Sequence, residues 1–181
     1  MKNIPTIFKR NYSKTYAVLN EINPVCQWVF DGEGIPYRKF QGMATLILDN
    51  VCYKRCILKP GTPIPNDFYP AELDPRSGKF YGWLPISFTD PIDKYYVNAF
   101  NKKKSWAEGT YELIGPKVLG NKEKFDQHLL ISHNTEELPD FKRTYRNIRN
   151  ILEVFPYEGI VFHHEDGRMA KIKKKDFGFN R

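Results

Sequence analysis

The chain has 181 residues, a formal net charge of +7, and 41% hydrophobic against 27% charged residues. Such a balance suits one soluble, globular domain with a real core. It excludes a membrane span, because no apolar run approaches bilayer length and the opening MKNIPTIFKR lacks the apolar centre of a signal peptide. The positive charge favours a polyanionic partner such as RNA, DNA or a nucleotide, with a merely basic cytosolic protein as the plainer alternative. Aromatic residues, at 15%, suit a packed β-rich core and equally a base-stacking surface. Cys26, Cys52 and Cys56 form neither a disulfide framework nor a zinc-spaced set, so reduced, buried thiols in a cytoplasmic setting are expected.

Taken in chain order, the first strong signal is YRKFQGMATLILDNVCYKRCIL. Ala44, Leu46 and Leu48 alternate along a strand, Asp49-Asn50 marks a turn, and a second strand carries the basic pair Lys54-Arg55. The stretch KPGTPIPNDFYPAELDPRSGKFYGWLP is rich in proline and glycine yet too apolar for a linker, which predicts an ordered loop packed over the core. Trp83 within it is expected in the core rather than as a stacking platform. GTYELIGPKV reads as a short strand carrying Tyr111-Glu112 and ended by Gly115-Pro116.

PDFKRTYRNIRNILEVF is the clearest helix, with Phe141, Tyr145, Ile148, Leu152 and Phe155 at helical spacing. Its basic face suits either solvent or an RNA backbone. EGIVFHHEDGRMAKIKKKDFG reads as a hairpin about Asp166-Gly167. A two-residue turn there would set Phe162 opposite Lys171 and Ile160 opposite Lys173, leaving Glu158, Lys171 and Lys173 on one side of the sheet. Lysines two residues apart along a strand stand about 7 Å apart, a spacing that suits neighbouring phosphate oxygens. A solvated lysine run is the plainer reading of KIKKK.

His163 and His164 precede Glu165 and Asp166, but adjacent strand residues point to opposite faces, so the two are not expected to share one metal ion. His128 and His133 suit packing or loop hydrogen bonding as well as contact with a nucleotide or RNA.

Lys-x-x-Gly occurs at Lys39–Gly42, Lys79–Gly82, Lys117–Gly120 and Lys175–Gly178, so the pattern alone selects nothing. Order along the chain does. Lys39 is followed by Lys54-Arg55, Tyr111-Glu112, Glu158-Gly159-Ile160-Val161 and Lys171-Ile172-Lys173. This series resembles the covalent nucleotidyltransferases, the ATP-dependent RNA and DNA ligases and the GTP-using capping enzymes. Within them, GEGIPYRKF, VCYKRC, DPRSGKFYGWLPI, GTYELIGPK and EGIVFHHEDGRMAKIKKKDFG look like small RNA ligases related to the animal 5′-to-3′ RNA ligase.

The resemblance implies an α+β nucleotidyltransferase domain spanning residues 1–181. Two mainly antiparallel sheets would enclose a nucleotide cleft, with flanking helices and no room for an OB domain. It implies that Lys39 attacks ATP to form lysyl-AMP, with Lys171 and Lys173 as cationic helpers. Arg38, Lys54 and Arg55 would contact phosphates, Glu112 the ribose, and Glu158 the nucleotide or a divalent ion, magnesium or manganese. The acceptor would be RNA with a 5′-phosphate and a 3′-hydroxyl end, and the protein a monomer.

Two positions depart from the family pattern. Gln41 stands where aspartate is usual, and Met43 where threonine is common. Alternatives in the same group are a DNA ligase or a capping-type enzyme, and outside it a non-catalytic RNA-binding protein on the same scaffold.

Overall fold

The structure is a computed structural model that describes residues 3–13 and 15–180. In chain order its elements are β1 (Phe8–Arg10), β2 (Val18–Ile22), α1 (Gln27–Phe30), β3 (Ile35–Lys39), β4 (Met43–Leu48), β5 (Val51–Leu58), β6 (Tyr69–Leu73) and β7 (Phe80–Pro85). There follow α2 (Lys94–Phe100), β8 (Gly109–Ile114), β9 (Leu129–Ser132), α3 (Tyr145–Val154), β10 (Gly159–His163) and β11 (Met169–Lys173). The fold is α+β with antiparallel sheets, and no helix among the described residues is long and apolar enough to cross a membrane. Two compact units are distinguished, one formed by residues 41–132 with Asn3, the other by residues 4–40 and 133–180.

The first unit is a six-stranded sheet in the order β6-β7-β5-β4-β8-β9. Strand alternation sends Ile47, Cys52 and Leu113 to one face, where they pack with Tyr96 and Ala99 of α2. Asp49 and Asn50 both take positive φ (50° and 56°), the backbone of a tight hairpin turn whose twist matches the strands it joins. The stretch expected to be an ordered loop contains β6 and β7 instead. Proline and glycine hid the alternation. Gly82 is in a strand because the Phe68 ring fills the space its side chain would take. Trp83 is buried, as expected.

The second unit carries a three-stranded sheet, β11-β10-β3, and the small β1-β2 pair. Both edges of the three-stranded sheet are covered. Residues 5–7 hydrogen-bond to Lys171 along one edge (Ile7 N to Lys171 O, 3.0 Å; Lys171 N to Pro5 O, 2.9 Å). Residues 136–138 line the other (Arg38 N to Glu136 O, 2.8 Å; Leu138 N to Pro36 O, 2.9 Å). Ile160, Phe162, Ala170 and Ile172 point to a core shared with Phe8, Trp28 and the α3 residues Ile148 and Leu152.

Helix α3 is shorter than its periodicity suggests. It starts at Tyr145, where the Thr144 side chain caps the Asn147 amide, while Phe141 lies ahead of the helix yet still packs edge-on against Phe162.

The β10–β11 register differs from expectation by one residue. Gly159 pairs with Lys173, Val161 with Lys171, and Phe162 with Ala170. The turn is longer than two residues, closed by His164 N to Arg168 O at 2.9 Å and Gly167 N to His164 O at 3.0 Å. This register leaves Ile160, Phe162, Ala170 and Ile172 all core-facing, which a one-residue slip would forbid.

Candidate functional site

In the second unit, β10 lies between β3 and β11, and its first residue, Gly159, is the Cα partner of both Lys39 and Lys173. Alternation then puts Lys39 and Tyr37, Val161 and His163, and Lys171 and Lys173 on the face opposite the core. Gly159 is required where it stands. A methyl group there would overlap the Ile172 carbonyl oxygen and crowd the Lys173 backbone.

Glu158 sits in the bend just before β10 rather than in the strand, so its direction is not set by strand alternation. Its carboxylate accepts hydrogen bonds from two lysines, Lys39 Nζ at 2.9 Å on Oε2 and Lys173 Nζ at 2.9 Å on Oε1. Lys39 is 5% exposed and also donates to the Phe40 carbonyl at 3.0 Å. Burial would raise the Glu158 carboxyl, but Lys39 and then Lys173, by charge and by hydrogen bond, outweigh it and hold the group below the usual carboxylate range.

The expected convergence of Glu158 with the lysines is therefore present, though by a different route than strand parity. Two ammonium groups, from strands on either side of β10, share one carboxylate. Lys171 lies on the same face. Ammonium groups gathered on one face suit phosphate oxygens.

Farther along the same unit is a cavity of about 700 Å³ lined by Glu33, Ile35, Tyr37, Asn134, His163 and His164. The His163 ring meets Tyr37 edge-on at 5.4 Å, and its Nε2 is buried without a hydrogen-bond partner. Burial, reinforced by nearby His133, pushes its pKa down to about 4, so the imidazole is neutral at physiological pH. His164 leans instead against Trp28 and pairs with Glu33 at 2.7 Å. The adjacent histidines thus have separate partners, as expected. Tyr37 escaped sequence reasoning, although strand parity from Lys39 was a signal for it, and His163 was weighed only as a metal ligand.

Arg38, on the core side of β3, is 9% exposed. Its Nη1 donates to both carboxylate oxygens of Glu136 (3.0 and 2.8 Å), and the guanidinium lies between the rings of Phe40 and Tyr157, at 4.2 and 3.6 Å. These contacts tie it to structure.

In the first unit, alternation separates Lys54 from Arg55. Lys54 reaches the fully buried Asp93 (2.7 and 2.8 Å), which also accepts from the Ser87 amide at 2.8 Å. Arg55 lies on the opposite sheet face over Trp83 (4.7 Å) and Tyr81 (5.4 Å), and hydrogen-bonds Asn3. Register places Glu112, 5% exposed, on the Arg55 face. Gly42 is fixed by close approach, since a Cβ would strike the Leu113 carbonyl oxygen and Glu112 Cβ. The Gln41 amide donates to Glu123 at 2.7 Å.

Among the described residues, no group of three or more His, Cys, Asp or Glu side chains could hold a metal ion. Burial pushes the thiols of Cys26 and Cys52 up to about 11 and about 12, the latter helped by Asp93, so neither is a thiolate nucleophile. No protein-family model matches the sequence, and no curated protein matches it.

Proposed function

We propose that the protein is an ATP-dependent RNA ligase of the covalent nucleotidyltransferase type. The observation that carries this reading is the shared carboxylate. Lys39 and Lys173 meet on Glu158 at 2.9 Å each, and the three strands that bear them are hydrogen-bonded neighbours. In the sequence these residues are the nucleophile, the Glu-Gly motif and the closing Lys-x-Lys of the family they resemble.

In this reading Lys39 Nζ attacks the α-phosphorus of ATP. A P–N bond forms, the α–β P–O bond breaks, and pyrophosphate leaves with the bonding pair. The lysine must first lose its proton to solvent, and a carboxylate partner favours the charged ammonium. Binding of ATP must therefore loosen the Lys39–Glu158 pair, and the cationic neighbour Lys173 then disfavours the protonated amine. Lys171 and Lys173 neutralise the α-phosphate. The nucleoside would extend along the same face toward the Tyr37–His163 cavity. A 5′-phosphate oxygen of RNA next displaces Lys39 to form an RNA–adenylate. Attack by a 3′-hydroxyl then seals the strand and releases AMP.

A divalent ion suits this site only in part. Magnesium commonly takes one or two carboxylates plus substrate phosphate and water, and Glu158 can supply one carboxylate once the lysines turn to phosphate. The ion would offset charge on the leaving pyrophosphate. Glu112 is assigned to the nucleotide by resemblance alone, whereas Lys54 and Arg38 are better explained by Asp93 and Glu136.

Intact mass after incubation with magnesium and ATP or GTP, beside Lys39→Ala, tests the proposal. An added AMP on the wild type alone is expected. A GMP adduct would redirect the reading to capping-type chemistry. No adduct, on protein checked beforehand for existing AMP, would leave a non-catalytic RNA-binding protein.

A further inference from the structure

On the Arg55 face of the six-stranded sheet, β5 presents Tyr53, Arg55 and Ile57, while β7 presents Pro85, Trp83 and Tyr81 directly across from them. β6 adds Tyr69 opposite Trp83. Tyr53 and Tyr69 bring their ring centroids to 6.3 Å at an interplanar angle of 47°. With Asn66, Asp67, Phe68 and Pro85 they line a cavity of about 330 Å³. Its size is at the small end of ligand sites. It offers aromatic walls, an amide and a carboxylate, which are the features that hold a flat heteroaromatic group by its faces and its hydrogen-bonding edge. Arg55 lies two residues from Tyr53 on the same face, about 7 Å away, a cation placed for the phosphate attached to such a ring. Tyr69 is 44% exposed on an edge strand, open to a ligand rather than closed into the core.

We propose that the Tyr53–Tyr69 cavity is a base-binding subsite for single-stranded RNA, with Arg55 taking the adjoining phosphate. It rests on the RNA reading above and names a part of the substrate that the lysine cluster does not contact. Sheets that present aromatic side chains on one face hold unpaired bases by stacking, which tolerates any sequence and excludes a paired duplex. Asp67 disfavours a phosphate inside the cavity itself, so the base enters and the backbone runs past Arg55.

The test is fluorescence anisotropy of the full chain with a 3′-labelled, 5′-phosphorylated single-stranded RNA and with the matching duplex. The wild type binds the single strand more tightly. Tyr69→Ala loses about tenfold in affinity, within the range for removal of one stacking partner, while Tyr69→Phe stays within about twofold. Equal affinity of Tyr69→Ala and wild type overturns the proposal, as do equal affinity for duplex and no binding at all. Lysyl-AMP formation by the wild type is measured alongside. RNA binding without that adduct would leave the subsite standing and sink the ligase reading; the adduct without RNA binding would do the reverse.

Discussion

Each unit holds lysine against a carboxylate, and the two arrangements differ in stoichiometry. Asp93 is fully buried and takes both its oxygens to one lysine, Lys54, with the Ser87 amide as a further donor. Its charge is matched and its acceptors are satisfied. Glu158 divides its two oxygens between two lysines, one on β3 and one on β11. A matched buried pair holds chain segments together and gains nothing from a ligand. Two lysines that share one carboxylate can instead exchange it for phosphate oxygens. Asp93 thus explains Lys54 structurally, whereas the proposed function gives Lys39 and Lys173 a chemical role, although all three belong to the same series of motifs.

Removal of the proposed nucleophile is the most severe way to break the contrast. Lys39→Ala should abolish the protein–AMP adduct in intact-mass spectra, and a retained adduct would move the nucleophile elsewhere. Glu158→Gln should come next, removing the carboxylate that Lys39 and Lys173 share. We expect a loss of about 3 kcal/mol in urea unfolding, with adduct formation slowed about a hundredfold. Wild-type stability in that variant would refute the shared-carboxylate account.

Lys54→Ala should cost about 3 kcal/mol as well, because Asp93 is then buried alone. Its adduct yield per folded molecule should match wild type, and a selective loss of adduct would return Lys54 to the nucleotide. Gly159→Ala should destabilise by about 2 kcal/mol through collision with β11, and an unchanged melting temperature would contradict the close approach. The effect confined to acid pH belongs to His163. Its folded-state value of about 4 lies below the ordinary 6.5, so the unfolded chain binds the proton first and stability falls as pH drops from 6.5 toward 4. His163→Gln should decline less over that window in melting curves, and parallel curves would disprove the burial argument.

Much of this was legible in the sequence because it is local. The Asp49-Asn50 turn, the strand ended at Gly115 and the apolar stripe of α3 each follow from a few neighbouring residues. β6 and β7 were not legible, since Gly82 is explained by the Phe68 ring and not by its own neighbours. The hairpin register failed for a related reason: Asp166-Gly167 signals a tight turn, but burial of Phe162 and Ala170 decides the pairing. Lys39, Glu158 and Lys173 could be named from motif order, whereas the opposing fates of Lys54 and Arg55 needed Asp93, which no spacing rule connects to them. Arg38 likewise required Glu136 and Tyr157, both distant in sequence.

Residues 41–132 are inserted between β3 and β10, yet β3, β10 and the segment at residues 5–7 all belong to one unit. Every strand pair of the inserted unit closes within that insertion, so it can acquire its hydrogen bonds as it leaves the ribosome. The sheet that carries Lys39 cannot, because β3 must wait for β10, and residues 5–7 for β11. Long-range pairing of this kind is slow, and a waiting strand edge is open to wrong partners. The lysine face should therefore mature last during synthesis, and truncated or stalled chains should hold a folded six-stranded sheet beside an unassembled Lys39 segment.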